Sequence, residues 1–198
     1  MGTEKMKALA GKLYDANRDA ELLAERAACA DITHRLNSLP PSRSEERAGI
    51  LRGLLGKAGK CFTIISPFFC DYGYNIEIGE NFFMNFNCVI LDAAKVRFGD
   101  NVFVAPNCGF YTAGHPLDVR RRNMGLEYAR PISVGDNVWI GAHACVLPGV
   151  DIGDNSVIGA GSVVTESVPG GVLAAGNPCR IIRELTAEDM AERGEGGL

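Results

Sequence analysis

The sequence predicts a mainly β fold: a parallel solenoid of short strands, preceded by a short α-helical segment. Three observations carry this. Four near-copies of one tetrapeptide recur: Ile78-Gly-Glu-Asn, Phe98-Gly-Asp-Asn, Val134-Gly-Asp-Asn and Ile152-Gly-Asp-Asn. Steps of six from each land on apolar residues, first at Ile78, Met84 and Ile90, then at Phe98, Val104 and Phe110. The third copy gives Val134, Ile140 and Val146, and the fourth gives Ile152, Ile158 and Val164. Positions four beyond a stop are mostly small or β-branched, as at Val102, Cys108, Val138, Ala144, Val150, Ser156 and Ser162. A six-residue period fits neither an α-helix nor a simple hairpin. It matches a repeat of three short faces, each ending in a tight corner. The apolar stop points inward, and Gly and Asn supply the positive φ that corners need. Stacked coils then pair as parallel strands about 4.8 Å apart. A β-sandwich gives no reason for twelve apolar stops in twelve.

Residues 1–57 read as the helical segment. Met6, Leu9 and Leu13 stand near helical spacing in "GTEKMKALAGKLY". The Ala- and Leu-rich stretch after Asp19 runs to Leu39, where "PPS" breaks it. Ser42 and Glu45 fit a capping box opening the next helix, which "GKAGK" ends. Residues 58–180 are the expected solenoid, and 181–198 a tail or short helix. The phase breaks twice. Two extra residues fall around Lys95–Arg97, and eighteen, roughly 113–130, leave the coil between Phe110 and Val134. A patternless loop of that length is usually functional or disordered.

Composition excludes several classes. A net charge of −4 lacks the basic footprint of a nucleic-acid binder. No apolar run approaches the 18 or so residues of a membrane span, and the start lacks a signal-peptide core. Seven cysteines without a CxxC read as reduced core residues, which with the missing export signal predicts a cytoplasmic protein. No P-loop, nucleophile elbow or Rossmann fingerprint is present.

Three histidines remain as chemistry. His34 belongs to the helical segment, and His143 to an ordinary hexad. His115 stands in a Gly-His-Pro turn at the root of the long loop. Imidazole suits proton removal near neutral pH; a turn histidine bonded to backbone is the plainer alternative. A three-histidine zinc site is disfavoured because His34 lies outside the solenoid, so no metal is expected. The Arg120–Arg122 run reads as a solvated loop tip, with an anion contact as the alternative.

"KLYDANRDAEL", "DYGYNIEIGENFFMNFNCVILD", "FYTAGHPLD", "VGDNVWIGAHACVLPGVDIGDNSVIGAGSVVT" and "AAGNPCRIIREL" together resemble the maltose, galactoside and nodulation-factor O-acetyltransferases of the hexapeptide-repeat family. The resemblance spans nearly the whole chain. It implies a left-handed β-helix, a handedness that periodicity does not carry and that departs from the usual right-handed crossover. It implies a homotrimer, acetyl-CoA as co-substrate and a sugar acceptor. His115 matches the general base, and Asn85 the residue that stabilises the oxyanion. Asn17, Asp71 and Asp92 match the acceptor site, although the galactoside branch carries Asp at position 17 and a second Asp at 93, where this chain has Ala93. "CDYGYN" looks more like the maltose-type branch. Trp139, Ala142, Ala160, Thr165, Arg180 and Arg183 match the coenzyme A groove.

The expected function is therefore acetyl-CoA-dependent O-acetylation of a maltose- or glucose-type sugar. The alternatives are another hydroxyl acceptor, such as an antibiotic, or a catalytically silent solenoid scaffold. Serine acetyltransferases have a longer helical lead. Phase counting adds one expectation. Asn85 and His115 differ by ten residues in an 18-residue turn, which predicts that they face nearly opposite sides of one subunit and meet only between subunits.

Overall fold

The computed structural model describes residues 3–190. Three helices open the chain: α1 (Glu4–Leu9), α2 (Ala20–Ser38) and α3 (Ser44–Leu54). Thr3 caps α1 and Asp19 caps α2, each accepting a backbone N–H with its side chain. Helix α1 stops earlier than expected. Gly11 adopts φ +65°, and the chain leaves extended, so Leu13 is not helical and Tyr14 pairs with Glu127 instead. The expected capping box at Ser42 is also corrected. Arg43 is the N-cap of α3 and makes no side-chain capping bond, leaving Ser42 one residue too early.

A parallel β-solenoid of about six turns follows. Its first coil holds β1 (Phe62–Ile64), β2 (Phe68–Cys70) and β3 (Ile76–Ile78). The second holds β4 (Phe82–Met84), β5 (Cys88–Leu91) and β6 (Val96–Phe98). The third begins with β7 (Phe103–Val104) and β8 (Gly109–Tyr111). An arm then leaves the coil: β9 (Ala113–Gly114), α4 (Val119–Asn123) and β10 (Tyr128–Ala129). The coil resumes at β11 (Ile132–Val134), followed by β12 (Trp139–Ile140), β13 (Cys145–Val146) and β14 (Asp151–Ile152). Strands β15 (Val157–Ile158), β16 (Val163–Val164) and β17 (Val172–Ala175) complete it. Finally β18 (Arg180–Glu184) turns back antiparallel on β17, and α5 (Ala187–Met190) follows. Three sheets form the walls. Face one is β1-β4-β7-β12-β15-β17-β18, face two β2-β5-β8-β13-β16 and face three β3-β6-β11-β14.

All twelve predicted stops are buried, none more than 4% exposed. The seven small positions four beyond a stop are buried as well. Inside the tube Phe82, Phe98 and Phe110 stack, with ring centroids 5.0 and 4.9 Å apart. Each such side chain taken from water contributes about 1.5–3 kcal/mol.

The Gly-Asp-Asn repeat has a specific cause at the corner between faces three and one. Asp100, Asp136 and Asp154 each accept, with Oδ1, the backbone N–H of the residue below: Glu80 (2.7 Å), Asp100 (2.7 Å) and Asp136 (2.8 Å). Asn81, Asn101, Asn137 and Asn155 hold φ between 55° and 59° and bond side chain to side chain in a ladder. The glycine makes room for the aspartate above it. A Cβ on Gly135 would stand 2.1 Å from Asp154 Oδ1. We therefore expect Gly135→Ala to break this contact and destabilise the fold by about 1–3 kcal/mol. A lowered thermal-unfolding midpoint would record it; an unchanged midpoint would contradict the role given to the glycine.

The phase breaks are real, and one is displaced. β6 pairs regularly with β3, so the extra residues lie before it, in the corner Asp92–Lys95. The preceding coil carries the same wide corner, Asp71–Asn75, because partners there are also 20 residues apart. The arm is not patternless: β9 and β10 pair antiparallel, Ala113 opposite Ala129 and Gly114 opposite Tyr128. The solenoid sheet also runs past residue 180, through β18. All seven cysteines are unpaired. No described helix is long and apolar enough to cross a membrane.

Candidate active site

The wide corner between faces two and three is where the arm departs. Thr112 ties its root: the buried hydroxyl donates to Leu91 O (2.6 Å) and accepts from Ala94 N (3.0 Å). The arm then folds back onto the helical segment. Tyr14 and Glu127 exchange both backbone hydrogen bonds at 3.0 Å, and the Tyr14 hydroxyl donates to Glu127 Oε2 at 3.1 Å. A small apolar cluster of Ala8, Tyr14, Ala16, Leu22, Tyr72, Ala93, Ala94 and Ala129 fills the space beneath.

His115 is exposed on this arm, and its Nδ1 lies 3.0 Å from Leu126 O. A carbonyl oxygen only accepts, so Nδ1 carries the hydrogen. In the neutral ring Nε2 then keeps its lone pair as a base. The backbone bond expected of a turn histidine is present, and it fixes the tautomer that a base requires.

Asp71 sits half-buried on the same corner. Burial, and then the nearby Asp92 carboxylate, push its pKa up to about 6, against the lowering influence of Arg26; Glu127 raises it further. Its carboxylate has no hydrogen-bond partner among the described residues, while Arg26 Nη2 donates to Ala16 O at 2.6 Å. Asn17 is exposed and donates with Nδ2 to Gly125 O (3.1 Å) and weakly to Glu127 Oε1 (3.5 Å), which leaves Oδ1 open. Asp92 differs from the expected acceptor contact. It has no exposed surface, and its carboxylate accepts the backbone N–H groups of Asp71 (3.0 Å), Tyr72 (2.9 Å) and Asn75 (3.3 Å). It shapes the turn that presents Asp71, and burial holds its own pKa above the usual carboxylate range.

Asn85 lies one corner away, between faces one and two. Its Oδ1 accepts from Phe86 N at 2.8 Å, leaving the Nδ2 donors open. The strand register places Ala142 and Ala160 at this same corner, one position further along. His143 follows Ala142 there with φ 60°, over Asn107 and Asn87 at φ 62° and 59°. Trp139 is 56% exposed on face one. Leu173 pairs with Arg183 and Ala175 with Arg180 on that face. Thr165 does not join them. It follows β16 and lies at the corner between faces two and three, on the His115 side. Arg183 makes a two-pronged ion pair with Asp189, at 2.6 and 2.7 Å. The ten-residue phase count overstates the separation of Asn85 and His115, because residues beyond Thr112 have already left the coil. One face, rather than half a turn, separates Asn85's corner from the arm's root.

Glu127, Tyr14, Arg26 and Thr112 were not singled out by the sequence. Glu127 had no signal, since it sits in the stretch where the period fails. Among the described residues no cluster of His, Cys, Asp and Glu could hold a metal ion.

Fold and site together define a hexapeptide-repeat acyltransferase. Family models match at residues 7–59, the maltose acetyltransferase hexapeptide capping motif, and at 131–166, the hexapeptide repeat of succinyl-transferase. The galactoside O-acetyltransferase of Escherichia coli (strain K12) is 42% identical over 94% of this chain and 91% of its own. A maltose O-acetyltransferase structure from Clostridium difficile 630 superposes with a TM-score of 0.92 at 50% identity, covering 93% of this chain and 98% of that one. A galactoside acetyltransferase in complex with coenzyme A gives 0.92 at 39%, covering 98% and 96%. The chain belongs to the maltose/galactoside O-acetyltransferase family.

Proposed function

We propose that this protein transfers the acetyl group of acetyl-CoA to a hydroxyl of a maltose- or glucose-type sugar, with His115 as general base. The observation that carries the reading is the Nδ1 bond to Leu126 O, which in the neutral ring leaves the Nε2 lone pair free to act as a base. Nε2 takes the proton of the sugar hydroxyl as its oxygen attacks the thioester carbonyl. A donor at the resulting oxyanion lowers the barrier, and the open Nδ2 of Asn85 is that donor. Collapse breaks the C–S bond, and the imidazolium returns its proton to the departing thiolate. No covalent enzyme nucleophile is needed, because the thioester is already activated.

The active unit in this reading is a homotrimer with sites between subunits. Two features support it. Asn85 and His115 occupy different corners of one solenoid. The positions matched to the coenzyme groove also divide: Trp139, Ala142, Ala160, Arg180 and Arg183 on one side, Thr165 on the other. A closed ring brings unlike corners together through heterologous contacts. An odd set of seven cysteines without a CxxC suits a reducing, cytoplasmic setting.

Mixing the protein with acetyl-CoA and a panel of neutral sugars, and following free thiol, tests the activity. Sugar-dependent thiol release is the expected result; release that ignores every sugar would refute it. Arg180→Ala and Arg183→Ala should each raise the KM for acetyl-CoA several-fold and leave that for the sugar unchanged, because guanidinium groups suit the coenzyme phosphates. The Arg183–Asp189 pair does not prevent this, since exposed ion pairs hold weakly. Equal acetyl-CoA constants in variant and parent would remove the two arginines from the groove.

A further inference from the structure

We infer that Glu127 is an acceptor-recognising residue, whose carboxylate and that of Asp71 take two hydroxyl groups of one neutral polyol while the reacting hydroxyl faces His115. The inference rests on the sugar acetyltransferase reading and adds a residue to it. Four observations place Glu127 there. It follows Leu126, whose carbonyl holds His115, so the carboxylate and the base share one short stretch of arm. Its backbone is bonded to Tyr14, three residues before Asn17, which fixes it against the helical segment. Its side chain is half-buried, like that of Asp71, and therefore accessible from solvent. Each of its oxygens receives one protein donor, Tyr14 Oη at 3.1 Å and Asn17 Nδ2 at 3.5 Å.

A carboxylate has about four lone-pair sites, so two remain for a ligand. Asp71 contributes a second carboxylate with no partner among the described residues, and Glu127 is one of the charges that disfavour its ionisation. Two acceptor-only groups close enough to feel each other's charge call for donors. Neutral sugar hydroxyls supply donors without adding charge, whereas a sugar phosphate or uronate would meet like charge. Arg26, the nearby cation, already gives a nitrogen to Ala16 O.

The test uses the full chain and whichever of maltose, methyl glucoside and methyl galactoside the parent acetylates fastest. Glu127→Gln removes the charge but keeps an oxygen for the Tyr14 hydroxyl. It should raise the acceptor KM about tenfold or more, the usual effect of losing a hydrogen bond to a charged group, with the acetyl-CoA KM within about twofold. Against monodeoxy analogues of that sugar, the variant should become insensitive to one hydroxyl on which the parent depends. Tyr14→Phe breaks the same hydrogen bond but keeps the carboxylate, so it should leave the acceptor KM within about twofold. An unchanged acceptor KM in Glu127→Gln, a fall in kcat alone, or an equal rise in both variants would overturn the assignment. If the parent acetylates none of the three sugars, the sugar reading itself fails and this inference falls with it.

Discussion

Replacing His115 with alanine should lower turnover by at least about 10²-fold while leaving acetyl-CoA affinity within a few-fold of the parent. A positioned base contributes about 10²–10⁴-fold, and no second imidazole stands on the arm to substitute for it. His34 is on α2, and His143 is at the corner between faces one and two. The side chain is exposed and makes its one described hydrogen bond to Leu126 O, so its removal leaves no buried group unpaired. The loss should therefore appear in kcat and not in folding. Steady-state rates with a matched thermal-unfolding curve decide it. A variant that keeps more than about a tenth of parental turnover removes His115 from the chemistry.

The second large effect is all-or-none. Chains carrying His115→Ala and chains carrying Asn85→Ala should each be inactive alone. Denatured together and refolded as mixed forms of the proposed trimer, they should regain activity. The reason lies in the corners: Asn85 follows β4 at one corner, and the arm leaves after β8 at the next. An interface in a mixed trimer can then join an intact Asn85 corner to an intact arm. Neither parent variant has such an interface. Verified mixed trimers that stay inactive, while parent refolded in the same way recovers, would place both residues in a site within one chain.

The solenoid was legible because a repeat multiplies a weak local signal. One Ile-Gly-Asp-Asn says little, but four copies with apolar stops every six residues specify both interior and corners, and Val104, Ile140 and Ile158 lie where the count puts them. The helical ends were less legible. Gly11 and Arg43 decide where α1 stops and α3 starts, and neither belongs to a repeat. In the site, His115 stood out because it begins the stretch that breaks the period. Glu127 did not, since its place depends on a long-range pairing with Tyr14 that no spacing encodes. Asp92 shows the opposite limit. The family resemblance implied contact with the acceptor, and burial makes it a brace for the Asp71 turn.

The most direct measurement follows the acetyl group itself. Acetyl-CoA labelled with ¹³C in the acetyl carbonyl is incubated with the protein and maltose or methyl glucoside, and the carbonyl resonance is recorded by NMR. The account predicts a new sugar O-acetyl ester signal with the parent and its near-absence with His115→Ala. Label that stays on the thioester, or appears only as free acetate, would contradict it.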